Sequence, residues 1–233
     1  MLPEIKRQNI YEQVIAHLQQ YIIANSLKPG DRLPTEMELA EQFRVSRHTV
    51  REAMKVLESV GVLETRPRDG CRLRQMSTRP LTGHLRFLFE LDGVTVREMA
   101  SARHVIECGI VPMFIENAEE SHFQRMATAI EQMEALTQCG KTFAAADSEF
   151  HQTLASATKN RVMEGFGQML QDFFAHLQPH IHADEALQLR SIAEHRQIYA
   201  ALRDKDAVAA QQVIEEHLSV YNRFATNSTF WSE

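Results

Sequence analysis

Apolar positions recur at helical spacing over residues 8–25, where Ile10, Val14, Leu18 and Ile22 fall on one face. Pro29-Gly30 interrupts the pattern. Thr35-Glu36-Met37-Glu38 then has the form of a capping box, in which hydroxyl and carboxylate satisfy each other's backbone N–H groups at a helix start. The spacing predicts a short second helix burying Leu39, Ala40 and Phe43, a tight connection at Arg44-Val45, and a third helix capped by Ser46. Val50, Ala53, Met54 and Leu57 form the apolar stripe of that third helix, and Gly61 ends it. The period then shortens to that of two strands, Val62–Arg66 and Cys71–Arg74, around Pro67-Arg68-Asp69-Gly70, where Asp-Gly signals a hairpin. Helix, short helix, tight turn, helix and basic hairpin is the order of a winged helix-turn-helix.

Beyond Arg74 the chain is polar up to Pro80, and this stretch reads as a linker. From Leu81 to Phe224 the pattern predicts helices near 82–91, 95–117, 120–138, 141–157, 161–178, 185–203 and 206–224, and no strand. A run of six or seven such helices packs as an antiparallel bundle, with a kink expected at Pro112. The expected fold is therefore mainly α: a winged helix-turn-helix over residues 1–75, a linker at 76–80, an all-α bundle over 81–224 and a tail at 225–233.

A length of 233 residues suits two domains, and 44% hydrophobic with 24% charged residues is an ordinary globular balance. No stretch nears 18 uninterrupted apolar residues, and the N-terminus lacks the apolar core of a signal peptide, so no membrane partner is expected. The three cysteines, Cys71, Cys108 and Cys139, are widely spaced and form no CxxC pair, which points to a reducing cytoplasm. The net charge of −6 is unevenly spread: residues 44–74 carry eight basic side chains against four acidic ones. A basic surface on an acidic chain suits a polyanionic partner at one end.

That basic end has the layout of a DNA reader. Arg47 and Arg51 are four residues apart on the third helix, away from its apolar stripe, so both could enter a major groove and donate two bonds to guanine. Ser46, Thr49 and the free N–H groups at the helix start suit phosphate oxygens. The acidic end is rich in histidine, holding nine of the eleven. Asp147 and His151 share one face of a predicted helix, and His195 and His217 lie on later helices; converging, they would suit zinc, nickel or manganese. His176, His180 and His182 form a second cluster with a His-x-His pattern. Arg103 and Glu107 have the spacing of an ordinary helix-surface ion pair.

The stretch Leu27–Gly70, with PGDRLPTE, ELAEQF, VSRHTVREAM and the hairpin glycine, resembles the N-terminal domain of the GntR family of bacterial transcription regulators. The resemblance implies that Arg47 and Arg51 touch operator bases and that the wing tip with Gly70 enters the minor groove. It gives an expected DNA-binding set of Arg32, Ser46, Arg47, Thr49, Arg51, Arg68 and Gly70. Two positions depart from the family pattern: Met37 stands where the second helix often carries arginine, and Asp69 puts a negative charge at the wing tip. The later half is similar to the FCD-type ligand-binding domain of the FadR subfamily. The matching features are Arg103-x-x-x-Glu107, Asp147-x-x-x-His151, Asn160, Glu194-His195 and a last helix with His217.

The resemblance to the metal-binding branch implies that Asp147, His151, His195 and His217 hold a divalent ion, zinc ahead of nickel or manganese. It further implies that Arg103 pairs with a small organic acid effector and that the chain is a homodimer on double-stranded operator DNA. The expected function is a DNA-binding regulator, a repressor, with operator affinity set by a carboxylate metabolite. The competing readings are a metal-dependent enzyme, for which no general base or nucleophile is evident, and a dedicated metal sensor.

Overall fold

The computed structural model describes residues 10–66, 69–75, 79–175 and 184–223. The chain divides into two compact units, Met1–Gly83 and His84–Glu233. In the first, α1 (Ile10–Ala24), α2 (Glu36–Phe43) and α3 (Arg47–Ser59) precede a two-stranded antiparallel sheet of β1 (Leu63–Arg66) and β2 (Gly70–Leu73). The predicted capping box is present: Thr35 Oγ1 accepts from the Glu38 amide, and the Glu38 carboxylate accepts from the Thr35 amide at 2.7 Å. Ser46 caps α3 by accepting from the Thr49 amide at 3.1 Å. Leu18, Leu39, Val50, Ala53, Leu57 and Leu63 close the small core. The stripe on α3 that packs inward thereby turns Arg47 and Arg51 outward.

The hairpin register pairs Leu63 with Leu73 and Arg66 with Gly70, so Gly70 belongs to β2 rather than to the turn. Its φ of +82° is what demands glycine, because the space around it is open. An isolated bridge from Arg32 to Arg72 lays the loop before α2 along the outer edge of β2.

The second unit is helical. α4 (Arg79–Leu91) opens across the boundary and is followed by α5 (Val96–Asn117), α6 (Glu120–Gln138), α7 (Ala144–Ser156) and α8 (Arg161–Phe174). After them come α9 (Glu185–Arg203), α10 (Ala207–Leu218) and a 3-10 turn, Ser219–Arg223. α4 starts within the stretch expected to be linker, since proline is tolerated in a helix's first turn. α5 carries on through the exposed Pro112. α7 starts later than expected because Phe143 is buried at its N-cap, outside the helix. The last helix gives way to the 3-10 turn at Ser219, earlier than the spacing implied. The expected linker core at 76–78, the tail at 225–233 and the cluster His176, His180 and His182 lie outside the described residues.

α5, α7, α9 and α10 surround the centre of the bundle, with α6 and α8 outside them against α7. α7 and α8 approach closely at Gly167, where a side-chain carbon would overlap the Cβ of Ala155. Among the described residues, no helix is long and apolar enough to cross a membrane.

Candidate metal centre and nucleic-acid interface

The bundle centre is polar in a way a folded core rarely tolerates without a purpose. Asp147 and His151 come from one face of α7, His195 from α9 and His217 from α10, and all four are buried. Their four candidate donor atoms lie within 4.8 Å of one another. His151 Nε2 is 3.3 Å from His217 Nε2, and Asp147 Oδ1 is 3.4 Å from His195 Nε2 and 4.0 Å from His151 Nε2.

The opposite nitrogen of each ring is tied to an oxygen that can only accept. His151 Nδ1 meets Glu107 Oε2 at 2.8 Å, His195 Nδ1 meets the Ser191 carbonyl at 2.7 Å, and His217 Nδ1 meets Glu194 Oε2 at 3.0 Å. The proton of each neutral imidazole therefore sits on Nδ1, leaving the Nε2 lone pairs facing inward. Two lone pairs facing each other at 3.3 Å repel, and among the described residues His195 Nε2 is buried with no hydrogen-bond partner. A cation resolves both features. Nitrogens each about 2.0–2.1 Å from one tetrahedral zinc stand about 3.3–3.4 Å apart, so the donor set fits a divalent ion. The carboxylate or carbonyl behind each imidazole is the outer support that metal-bound histidines ordinarily have. Burial, reinforced by the neighbouring His217 ring, holds the His195 pKa well below its usual value, which keeps that ring in the neutral form a metal requires.

Arg103 lies next to this cluster and is fully buried, not on the helix surface that its spacing to Glu107 allowed. Its Nε donates to Glu107 Oε1 at 2.6 Å, and one terminal nitrogen donates to the Tyr221 hydroxyl at 2.7 Å. The other terminal nitrogen has no hydrogen-bond partner among the described residues. Burial alone would raise the pKa of Glu107, but the charges of Arg103 and His151 overcome it and hold it at about 2. Tyr221 moves the other way, because burial pushes its phenol up. A cavity of about 20 Å³ adjoins the ligands, bordered by Asp147, Ser191, Glu194, His217, Val220 and Tyr221. That is room for a water-sized occupant. Asn160, which also matches the FCD pattern, caps α8 through its side chain and takes no part in the cluster. Cys108 contacts His104 and the Gln211 carbonyl instead, and burial pushes its thiol up to about 11.

Spacing along the chain does not single out Tyr221, Ser191 or the orienting roles of Glu107 and Glu194. Each nevertheless sits one helical turn or less from a residue that it does: Tyr221 four after His217, Ser191 four before His195 and Glu194 beside it.

In the first unit, Arg47 and Arg51 are exposed on α3, and both donate to Glu36 at the start of α2. Ser46 Oγ and Thr49 Oγ1 bond each other at 2.8 Å, so the hydroxyls expected at phosphate also build the helix cap. Arg32 and Arg72 both bond Asp69, and the two cations depress its pKa. The unexpected acid at the wing thus ties the hairpin to the loop before α2. Arg68 lies outside the described residues.

Residues 10–73 match the signature described as bacterial regulatory proteins, gntR family, and residues 98–220 match the FCD domain. The chain belongs to the GntR family. The Uxu operon transcriptional regulator of Escherichia coli (strain K12) is 32% identical over 91% of this chain and 84% of its own length. An uncharacterized HTH-type transcriptional regulator of Bacillus subtilis (strain 168), YcbG, is 30% identical over 92% and 89%. The solved structure of a Streptococcus agalactiae GntR protein superposes with a TM-score of 0.70 at 26% identity, covering 92% of this chain and all of that one. Further GntR-family relatives are named as transcriptional repressors. Both parts of the chain are those of a DNA-binding transcription regulator, and the competing reading of a metal-dependent enzyme falls away because the relatives and domains are regulatory.

Proposed function

We propose that this GntR-family regulator is a homodimeric cytoplasmic repressor whose operator affinity is set by a small carboxylate bound at a divalent-metal site in the helical unit. The carrying observation is the convergence of three Nε2 atoms and Asp147 Oδ1, each imidazole being oriented from behind by an oxygen. Zinc suits this nitrogen-rich set best, with nickel or manganese as alternatives. When bound, the ion would supply a positive centre, and expansion beyond the four protein donors to five or six coordination would leave positions open to an anion.

Charge accounting supports an acidic effector. Among the described residues, the buried formal charges are one cation, Arg103, against two anions, Glu107 and Asp147. A divalent ion reverses that balance to one positive charge, which one carboxylate neutralises. The unpartnered Arg103 nitrogen is a donor for it. An occupant larger than water has to widen the cavity of about 20 Å³, moving side chains of α9, α10 and the 3-10 turn. This is work that binding energy can couple to a change of state. In the first unit, residues 10–75 carry the DNA contacts, with Arg47 and Arg51 reading bases, Ser46 and Thr49 at the backbone, and Arg32, Arg68 and Gly70 at the wing. Two-fold operators call for paired recognition helices, hence the dimer.

The small cavity also favours a second reading, a sensor for which the metal itself is the signal. Operator titrations separate the two, with metal-loaded protein and a panel of hydroxy, keto and sugar acids in one arm and with metal alone in the other. A carboxylate that shifts operator affinity tenfold represents about 1.4 kcal/mol of coupling, and DNA must then shift carboxylate affinity by the same factor. If no acid changes binding while metal removal does, the sensor reading stands and the effector reading falls.

A further inference from the structure

The two arginines assigned to base reading share one carboxylate. Glu36 stands at the first position of α2, half-shielded between them and far from both in sequence. Arg47 gives Glu36 a single bond, from Nε to Oε2 at 2.9 Å. Arg51 gives it a fork, from Nε to Oε1 at 3.1 Å and from Nη2 to Oε2 at 3.0 Å. The two guanidinium groups are therefore in different conditions. The Nη1–Nη2 edge of Arg47 makes no other hydrogen bond among the described residues, whereas the Nε–Nη2 edge of Arg51 is spent.

We infer that Glu36 is a positioning residue that makes the two arginines unequal readers, presenting Arg47 for guanine while withholding the fork of Arg51. Guanine recognition needs two parallel donors, to O6 and N7. Arg47 keeps such a pair, held in place from behind by the Nε bond. Arg51 keeps Nη1, enough for one acceptor, a single base-edge atom or a phosphate oxygen, but not for the paired donors that guanine takes. The shared carboxylate also cancels one of the two cations at the start of α3, which reduces indiscriminate attraction to DNA. Selectivity arises from both effects: one strong guanine requirement per half-site from this helix, and a weaker background on random sequence. The inference rests on the assignment of α3 as the DNA reader made above.

The test uses the full chain, a 30-base-pair random-sequence duplex and sites selected in vitro from a randomised pool. Parent protein is expected to select one dominant guanine per half-site, and Arg47→Ala to lose it. Glu36→Ala frees the Arg51 fork and one positive charge. Its binding to the random duplex should strengthen roughly threefold or more, and its log–log salt slope should steepen by about 0.9, one additional phosphate contact. Its selected-to-random affinity ratio should fall, and a second guanine preference should emerge. Glu36→Gln should move in the same direction, covering the case in which the alanine variant folds poorly. Glu36→Asp, which keeps the charge, should restore the parental slope.

Glu36→Ala and Glu36→Gln proteins with parental slope and ratio overturn the inference while leaving α3 as the reader, provided that Arg47→Ala still abolishes selection. Equal losses on random and selected DNA overturn it too, since that is what a purely structural role produces. If parent protein selects no site and Arg47→Ala binds as parent does, the underlying assignment of α3 fails and the inference fails with it.

Discussion

Replacing Arg103 by alanine should damage the helical unit before it damages effector binding. Arg103 and Glu107 form a buried pair joined at 2.6 Å, and both are almost fully shielded from water. Removing the guanidinium strands a carboxylate whose depressed pKa shows how much it depends on positive charge nearby. Breaking a buried pair from one side costs about 3–5 kcal/mol. For a domain of this size each kcal/mol moves the melting midpoint by about 2–4 °C, so metal-free Arg103→Ala should melt roughly 6–20 °C below parent. The guanidinium also lies 5.0 Å from the Phe174 ring and 5.3 Å from that of Tyr221, and the same substitution removes its attraction to both ring faces. Adding Glu107→Gln to Arg103→Ala neutralises the stranded charge while keeping an oxygen for His151, and should recover about half of the loss. Thermal melts of parent, both single variants and the double variant in chelator complete the cycle. An Arg103→Ala protein melting within a degree or two of parent, or a double variant worse than Arg103→Ala, would refute the buried-pair reasoning.

Two further perturbations follow from the same structure. In chelator, native His195 resists a proton that the unfolded chain takes up near pH 6.5, so stability falls as pH drops below that value, at up to about 1.4 kcal/mol per pH unit. Glu107, at about 2 when folded, adds a second loss as pH falls from the unfolded carboxyl range, about 4.3, toward 2. Denaturant titrations at pH 7.5, 6.5 and 5.5 should show the first loss in parent and not in His195→Gln; a flat parental profile would contradict it. The two glycines of α8 should respond with opposite signs. Gly165→Ala enters open space in a helix and should stabilise by about 0.5–1 kcal/mol, whereas Gly167→Ala collides with Ala155 and should cost about 1–3 kcal/mol. Denaturation midpoints of the two variants check this, and equal shifts would show that α7 and α8 are not in close contact.

The helices were legible where periodicity and caps agree. Thr95 with Glu98 and Asp184 at the heads of α5 and α9 mark starts that match the apolar pattern to within a residue. Phe143 misled because its burial at an N-cap looks the same as burial inside a helix. Asp147 and His151 were readable as a pair because one helical turn unites them. That His195 and His217 meet them depends on how four helices pack, which spacing along the chain does not encode; the family resemblance pointed there instead. Arg103 and Glu107 have identical spacing whether exposed or buried, so their position in the core had to come from the bundle. Gly165 and Gly167 look alike in sequence, and only the approach of α7 separates them. Glu36 reaches Arg47 and Arg51 across the helix-turn-helix, a contact no local pattern contains.

Everything proposed for the helical unit depends on Asp147, His151, His195 and His217 binding one divalent ion. Calorimetric titration of chelator-stripped full-length protein with zinc tests it most directly. Parent should saturate at about one ion per chain, with binding lost in His195→Ala and His217→Ala and retained in His104→Ala, whose ring lies outside the cluster. Parent protein that takes up no zinc, nickel or manganese, or a His195→Ala variant that still binds one ion with parental affinity, would contradict it.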